Sequence, residues 1–325
     1  MKKMILEGIL FFIFLALLAK ASDFTVDNLI EIAKLTKIEE WAIGFLLLAM
    51  VTSLPEASLS ILSVLENGEG IPIGVAFGSI LVNIGIALGL GGLLYGVKLS
   101  FKSLRRIIDM LFISAILVVL ISTTPFLTKI SGILLLILFV VFAMYSLRKK
   151  LTLEKLIYRP TTIFEKIILP FKLYKHLFYF AIGGISVVIL ADLTVKYGIT
   201  IASALNIPNV ILAGTAMAFG SSIPEIVTTI SSLKKKKYNL AIGNLIGSNF
   251  ILLTFIIGIP ALFTNVFVES SNILIAFSLL MILLCWFFLG ERSRGKLEKT
   301  ESIILLSLYF IYLIVFLSSS FLKIF

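Results

Sequence analysis

The chain has 325 residues, of which 59% are hydrophobic and only 14% charged, and its mean hydropathy is +1.13. Soluble domains carry about 25% charged residues, so these figures exclude one and indicate a protein that lives in a bilayer. The net charge of +10 sits in connectors between apolar runs, a mark of lipid topology and not of nucleic-acid binding. A single cysteine, Cys285, excludes an internal disulfide, and a single histidine, His176, excludes a His-cluster zinc or haem centre.

In chain order, uncharged apolar runs predict spans near 5–21, 41–65, 71–97, 107–124, 127–147, 176–195, 208–233, 239–264, 270–289 and 302–322. The runs are continuous and do not alternate, so they read as helices and not as barrel strands. Met1–Ser22 opens with two lysines, Lys2 and Lys3, followed by an apolar core and Ala19-Lys20-Ala21, a pattern shared by a first span and a cleavable signal peptide. Residues 148–175 form a basic connector between two sets of five spans, 1–147 and 176–325. With ten spans, 23 of the 28 Lys and Arg residues fall on one side of the membrane and five on the other. Basic loops stay inside. The expectation is a multi-pass protein of the cell membrane with both termini outside and the central basic loop in the cytoplasm.

The two halves match at an offset of 169 residues. Ala49-Met-Val-Thr52-Ser53-Leu-Pro55-Glu56 aligns with Ala218-Phe-Gly-Ser221-Ser222-Ile-Pro224-Glu225, and without a gap Gly74 meets Gly243, Gly78-Ser79 meets Gly247-Ser248, and Gly89 meets Gly258. The first copy turns at Glu66-Asn67-Gly68-Glu69-Gly70 with no Lys or Arg, the second at Lys234–Lys237. That charge contrast places the turns on opposite sides of the membrane. An odd number of spans per half requires the same inversion. The fold class expected is therefore all-α, with ten transmembrane helices in two inverted-topology repeats of five.

Glu56 is the only charged residue between Trp41 and Leu65, and Glu225 the only one between Tyr197 and Leu233. An ionised carboxylate at such depth costs several kcal/mol unless a cation, a proton or a polar cavity compensates it. Pro55 and Pro224 remove a backbone donor from the preceding turn, which frees carbonyl oxygens near Thr52 and Ser221. Hydroxyls of Thr52, Ser53, Ser221 and Ser222 lie beside them, and Ser79, Ser248 and Asn83 can join from facing helices. Two carboxylates with carbonyl and hydroxyl oxygens suit a hard cation, Ca²⁺ or several Na⁺. The small-xxx-small spacing of Gly74, Gly78, Gly243 and Gly247 reads as close helix packing. Asp109, three residues from Arg106, reads as interfacial or paired. Gly290–Leu297 approaches a phosphate-binding loop but has Leu297 where Ser or Thr is needed, so no nucleotide is expected.

Thr52-Ser53-Leu54-Pro55-Glu56 with Gly78-Ser79, and Ser221-Ser222-Ile223-Pro224-Glu225 with Gly243-Asn244-Leu245-Ile246-Gly247-Ser248-Asn249, resemble the α-repeats of the Ca²⁺/cation antiporter superfamily. The resemblance is to its prokaryotic sodium/calcium exchanger branch, since Ser79 and Ser248 stand where proton/calcium exchangers carry an acid. It implies a non-enzymatic, secondary active antiporter exchanging Na⁺ for Ca²⁺ by alternating access, the first and sixth spans sliding past the rest. Exchange of H⁺ for Ca²⁺ or another divalent cation, and cation binding without transport, are the alternatives. By the same resemblance Glu56 and Glu225 bind Ca²⁺ with the carbonyls of Thr52 and Ser221. Ser53, Ser79, Ser222, Ser248, Ala49 and Ala218 line flanking Na⁺ sites, within motifs spanning 49–83 and 218–252. A polar pair expected four residues after each Gly-Ser serine is Asn83 in the first copy but Leu252 in the second, and Val75 stands where the first repeat usually has Asn. These departures take a polar ligand out of the centre on which the usual coupling of three Na⁺ to one Ca²⁺ rests. Apart from the transported ions and the bilayer, no cofactor, nucleotide or nucleic acid is implied, and a monomer is compatible with the pattern.

Overall fold

The computed structural model describes residues 2–36, 38–65, 71–148, 163–204, 217–268, 272–292 and 295–322. The turn at Glu66–Gly70, residues 149–162 of the basic connector and residues 205–216, which include the first nine residues of the seventh expected span (208–233), lie outside them.

In chain order the helices are α1 (Lys2–Thr36), α2 (Glu40–Thr52), α3 (Leu54–Leu65) and α4 (Ile71–Tyr95), then strand β1 (Val97–Lys98). Next come α5 (Phe101–Ser122), β2 (Phe126–Leu127), α6 (Lys129–Arg148) and α7 (Ile163–Ala204). The chain continues through α8 (Met217–Ser221), α9 (Ile223–Lys234), α10 (Tyr238–Phe263) and β3 (Val266–Phe267). It ends with α11 (Asn272–Phe287), β4 (Lys296–Leu297) and α12 (Lys299–Leu322). Residues 163–175, expected in the connector, are the start of α7.

Among the described residues six helices are long and apolar enough to cross a membrane, or seven if α2 and α3, bent by 47° at Ser53, form one broken span. The count stands below ten because of charge in one helix and because of which residues are described in others. Helix α5 is long enough, at 22 residues, but begins with Lys102, Arg105, Arg106 and Asp109. Helix α6 is apolar over Lys129–Met144, the part of it whose side chains are described. Helices α8 and α9 follow the stretch 205–216.

Helices α4 and α10 are the centre of the bundle, each 83% buried over its apolar window, whereas α1 and α7 are buried over only 25% and 22%. Glycine sets the central packing. A Cβ on Gly243 would lie 2.3 Å from the Trp41 carbonyl oxygen, one on Gly44 2.4 Å from that of Leu240, and one on Gly247 2.5 Å from that of Phe45. Backbones of α2 and α10 thus touch directly, as small residues allow in lipid, where hydrophobic driving force between helices is lacking. Phe77, Phe250, Ile80, Leu81 and Ile84 fill the surrounding core. Gly74 differs from the other three: among the described residues nothing lies within 4 Å of its Cβ position.

Helices α4 and α10 each widen into a π-helical stretch, Val82–Leu88 and Leu252–Ile256, at corresponding positions of the two halves. Two antiparallel ribbons join the halves. Strand β1 pairs with β4, Val97 opposite Leu297, and β2 pairs with β3, Phe126 opposite Phe267. The ribbons lie at either end of α5, whose 22 residues span about 33 Å.

Helices α1 and α7 pack along each other at the side of this core, and Val26, Leu29, Ile30 and Phe180 join Ile43 and Leu48 of α2 and Leu240 of α10 in a smaller apolar cluster. His176 Nδ1 meets Asn28 Oδ1 at 2.8 Å between them. At the basic end, Lys235 pairs with Asp27 at 2.9 Å and Lys237 with Glu40 at 2.7 Å. Just before α2, Glu39 takes Lys102 and Arg106 of α5, both at 2.6 Å, and the Trp41 Nε1–H at 2.9 Å. Arg106 stacks 5.0 Å above the Trp41 ring. Burial alone would raise the Glu39 carboxyl, but Lys102, Trp41 and Arg106 together hold it below the ordinary glutamate range. Arg106 is therefore spent on Glu39, in the extended residues before α2, while Asp109, its expected partner, is exposed.

Candidate cation site

The prolines act as their chemistry demands. Pro55 has no N–H for the carbonyl of Val51 and Pro224 none for that of Gly220, and in both places the helix breaks one residue before the Ile- or Leu-Pro-Glu step. Ser53 (φ −85°, ψ 9°) and Ser222 (φ −84°, ψ 4°) adopt the same bridge-region backbone. Each break carries a serine hydroxyl, and three residues later a glutamate, into the protein interior.

The two breaks face each other. Ser53 Oγ donates to Glu225 Oε1 at 3.1 Å, and Ser222 Oγ donates to Glu56 Oε1 at 3.0 Å. The serine of each Gly-Ser element reaches the glutamate of its own half: Ser79 Oγ to Glu56 Oε1 and Ser248 Oγ to Glu225 Oε1, both at 3.4 Å. A Cβ on Gly78 would lie 2.6 Å from Ala218 Cβ, and one on Gly247 2.9 Å from Ala49 Cβ. Ala49 and Ala218 thus mark the two points where each break crosses the central helix of the other half. Their small side chains set how near the serines can come.

All of the residues singled out by sequence are buried: Glu56, Glu225, Thr52, Ser221, Ser53, Ser222, Ser79, Ser248, Asn83, Ala49 and Ala218. The glutamates, at 1% exposure each, use one carboxylate oxygen for two serine hydroxyls. The other, Oε2, has no hydrogen-bond partner among the described residues in either case. A buried, bare carboxylate oxygen is a costly arrangement that a cation relieves. Ser221 Oγ turns back to the Ala218 carbonyl at 3.3 Å. No group of three or more Asp, Glu, His or Cys side chains comes together among the described residues, so the acids of this centre are two.

Two asparagines that sequence reasoning left out of the site belong to its surroundings. Asn249, directly after Ser248, accepts from Asn83 Nδ2 at 3.0 Å, while Asn83 Oδ1 and Asn249 Nδ2 make no hydrogen bond among the described residues. Leu252 is fully buried and opens the π-helical stretch instead. Asn244 links two helices, accepting from Thr52 Oγ1 at 3.4 Å and donating to Thr228 Oγ1 at 3.2 Å. Their counterparts at the repeat offset are Ile80 and Val75, so the internal match gave no signal. A polar residue in a charge-free span was the signal available.

Two buried acids held in matched helix breaks across an apolar helical bundle define the class: a membrane protein whose centre is a candidate site for a hard cation. The family model for sodium/calcium exchanger proteins matches residues 7–148 and 175–318, and the chain belongs to that family. It is 29% identical over 312 residues to an uncharacterised membrane protein of Methanocaldococcus jannaschii, covering 95% of this chain and 97% of that one. It is 26% identical to the sodium/calcium exchanger MaX1 of Methanosarcina acetivorans, covering 93% and 95%. Among solved structures, the sodium-calcium exchanger NCX_Mj soaked with Na⁺ and Sr²⁺ matches with a TM-score of 0.80 at 28% identity, over 95% of this chain and 98% of that one.

Proposed function

We propose that the chain exchanges Na⁺ for Ca²⁺ across the cell membrane, both ions competing for one centre built on Glu56 and Glu225. The observation that carries this reading is the pair of unpartnered Oε2 atoms, one from each half, on carboxylates whose other oxygens are fixed by serines. Ca²⁺ takes oxygen ligands and is matched in charge by two carboxylates; Na⁺ accepts the same oxygens. The carbonyls of Thr52 and Ser221 would complete the calcium shell, with Ser53, Ser79, Ser222, Ser248, Ala49 and Ala218 around the Na⁺ positions. Asn83 with Asn249 would serve where the second member of the expected polar pair is replaced by Leu252. An empty pair of carboxylates is costly to carry through low-dielectric surroundings, which favours obligatory exchange over leak.

The architecture that fits this mechanism is ten spans in two inverted repeats, with termini outside and the basic connector in the cytoplasm. Strands β1 and β3 correspond at the repeat offset, yet each pairs with a strand of the other half. This reciprocal pairing at opposite ends of α5 supports a two-fold relation in the membrane plane. Helices α1 and α7, packed at the side of the core, are the elements free to slide. Purified protein in liposomes loaded with Na⁺ and diluted into Na⁺-free buffer should take up radiolabelled Ca²⁺; Glu56→Gln and Glu225→Gln should each reduce uptake to background. Wild-type flux in both variants, or uptake in a pH gradient without Na⁺, would overturn the assignment.

A further inference from the structure

Lys98 and Lys296 stand directly opposite each other across the β1–β4 ribbon. Like charges in that position repel and weaken a two-stranded pair. Alternation buries their neighbours Val97 and Leu297 and turns both lysines to the same outer face. With Lys299 they line a cavity of about 490 Å³ at the basic end of the bundle, between the ribbon, the end of α4 and Tyr238. Glu298 is the one acidic residue lining it. Among the described residues none of the three lysines forms an ion pair. Lys299 is also the first residue of α12, where the helix dipole disfavours a cation and favours an anion.

The neighbouring surface is apolar. Leu94 lines the cavity and is 57% exposed, and Phe101, at the start of α5, is 86% exposed. A ligand that answers both features carries an anionic group and hydrocarbon together. We propose that this cavity binds the headgroup of an acidic phospholipid, its phosphate bridging Lys98, Lys296 and Lys299 and its acyl chains running past Leu94 and Phe101. The bound phosphate relieves the cross-strand repulsion and so fastens one of the two ribbons that join the halves. Basic pockets at the ends of transmembrane helices recognise headgroups by this chemistry. The proposal stands apart from the cation centre, and its failure leaves the reading of Glu56 and Glu225 untouched.

Native mass spectrometry of the full chain titrated with phosphatidylglycerol against a phosphatidylcholine background tests it. Lys98→Gln/Lys296→Gln should weaken retention of phosphatidylglycerol about thirtyfold, on the order of one charge-contact loss per lysine. Lys234→Gln/Lys236→Gln, which removes two exposed cations from the α9–α10 turn, should leave it unchanged. Lys98→Arg/Lys296→Arg should retain the lipid, which separates lost recognition from a damaged fold. Equal losses in both Gln pairs would reduce the effect to general surface charge and overturn the site. Displacement of the lipid by an equal concentration of inorganic phosphate would overturn the lipid assignment.

Discussion

Ser53 and Glu225, 172 residues apart in sequence, are joined by a 3.1 Å hydrogen bond in the middle of the bundle. Its counterpart, Ser222 to Glu56 at 3.0 Å, makes the exchange reciprocal: each half fixes the other's acid. Ser53→Ala and Ser222→Ala should therefore have effects of similar size. Each should raise the Ca²⁺ concentration for half-maximal uptake about tenfold, the usual cost of one hydrogen bond to a charged group. Initial uptake rates over a range of Ca²⁺ check this, and a strongly lopsided pair of results would show that the halves do not share the ion.

The Asn83–Asn249 contact predicts coupled behaviour. Asn83→Ala and Asn249→Ala should each weaken stabilisation of the protein by Na⁺ or Ca²⁺, and the double variant should lose less than the sum, with a coupling energy of about 1 kcal/mol. Thermal unfolding in detergent with and without each cation measures the cycle. Additive losses would mean that the two amides act on separate things.

The glycines of the repeat motif should separate by position. Gly243→Ala drives a Cβ to 2.3 Å from the Trp41 carbonyl oxygen, a backbone atom that cannot swing aside. It should cost about 1–3 kcal/mol. Gly74→Ala meets nothing within 4 Å among the described residues and should leave stability unchanged or raise it slightly through helix propensity. Melting temperatures of the two variants side by side decide the matter.

Glu39 supplies a pH dependence outside the spans. Its carboxyl lies below the ordinary range in the folded protein, so the stability it contributes is present above the unfolded pKa and fades as pH falls through the folded one. Wild type should lose stability relative to Glu39→Gln as pH drops from 6 towards about 3, the two converging at the acid end. Parallel curves throughout would show that the cluster with Lys102, Arg106 and Trp41 contributes nothing.

Much of the centre was legible because duplication writes it twice. Pro-Glu after a serine, followed 23 residues later by Gly-Ser, marks Glu56, Glu225, Ser79 and Ser248 in both halves, and the charge-free flanks show their depth. What duplication does not repeat was invisible: Asn249 and Asn244 sit opposite Ile80 and Val75. The ribbons escaped for another reason. A two-residue strand has no periodicity to read, and its partner is set by tertiary geometry. The glycine pattern does not set Gly74 apart from Gly78, Gly243 and Gly247, because spacing gives a helix face but not which neighbours stand against it.

The two ribbons have a consequence for how the chain can be assembled. Each contributes one strand from before residue 148 and one from after residue 163, at opposite ends of α5. The polypeptide link between the halves is then not what keeps them together. A gene cut between those positions and expressed as two pieces should still yield one working molecule, the fragments recognising each other through the reciprocal strand pairs.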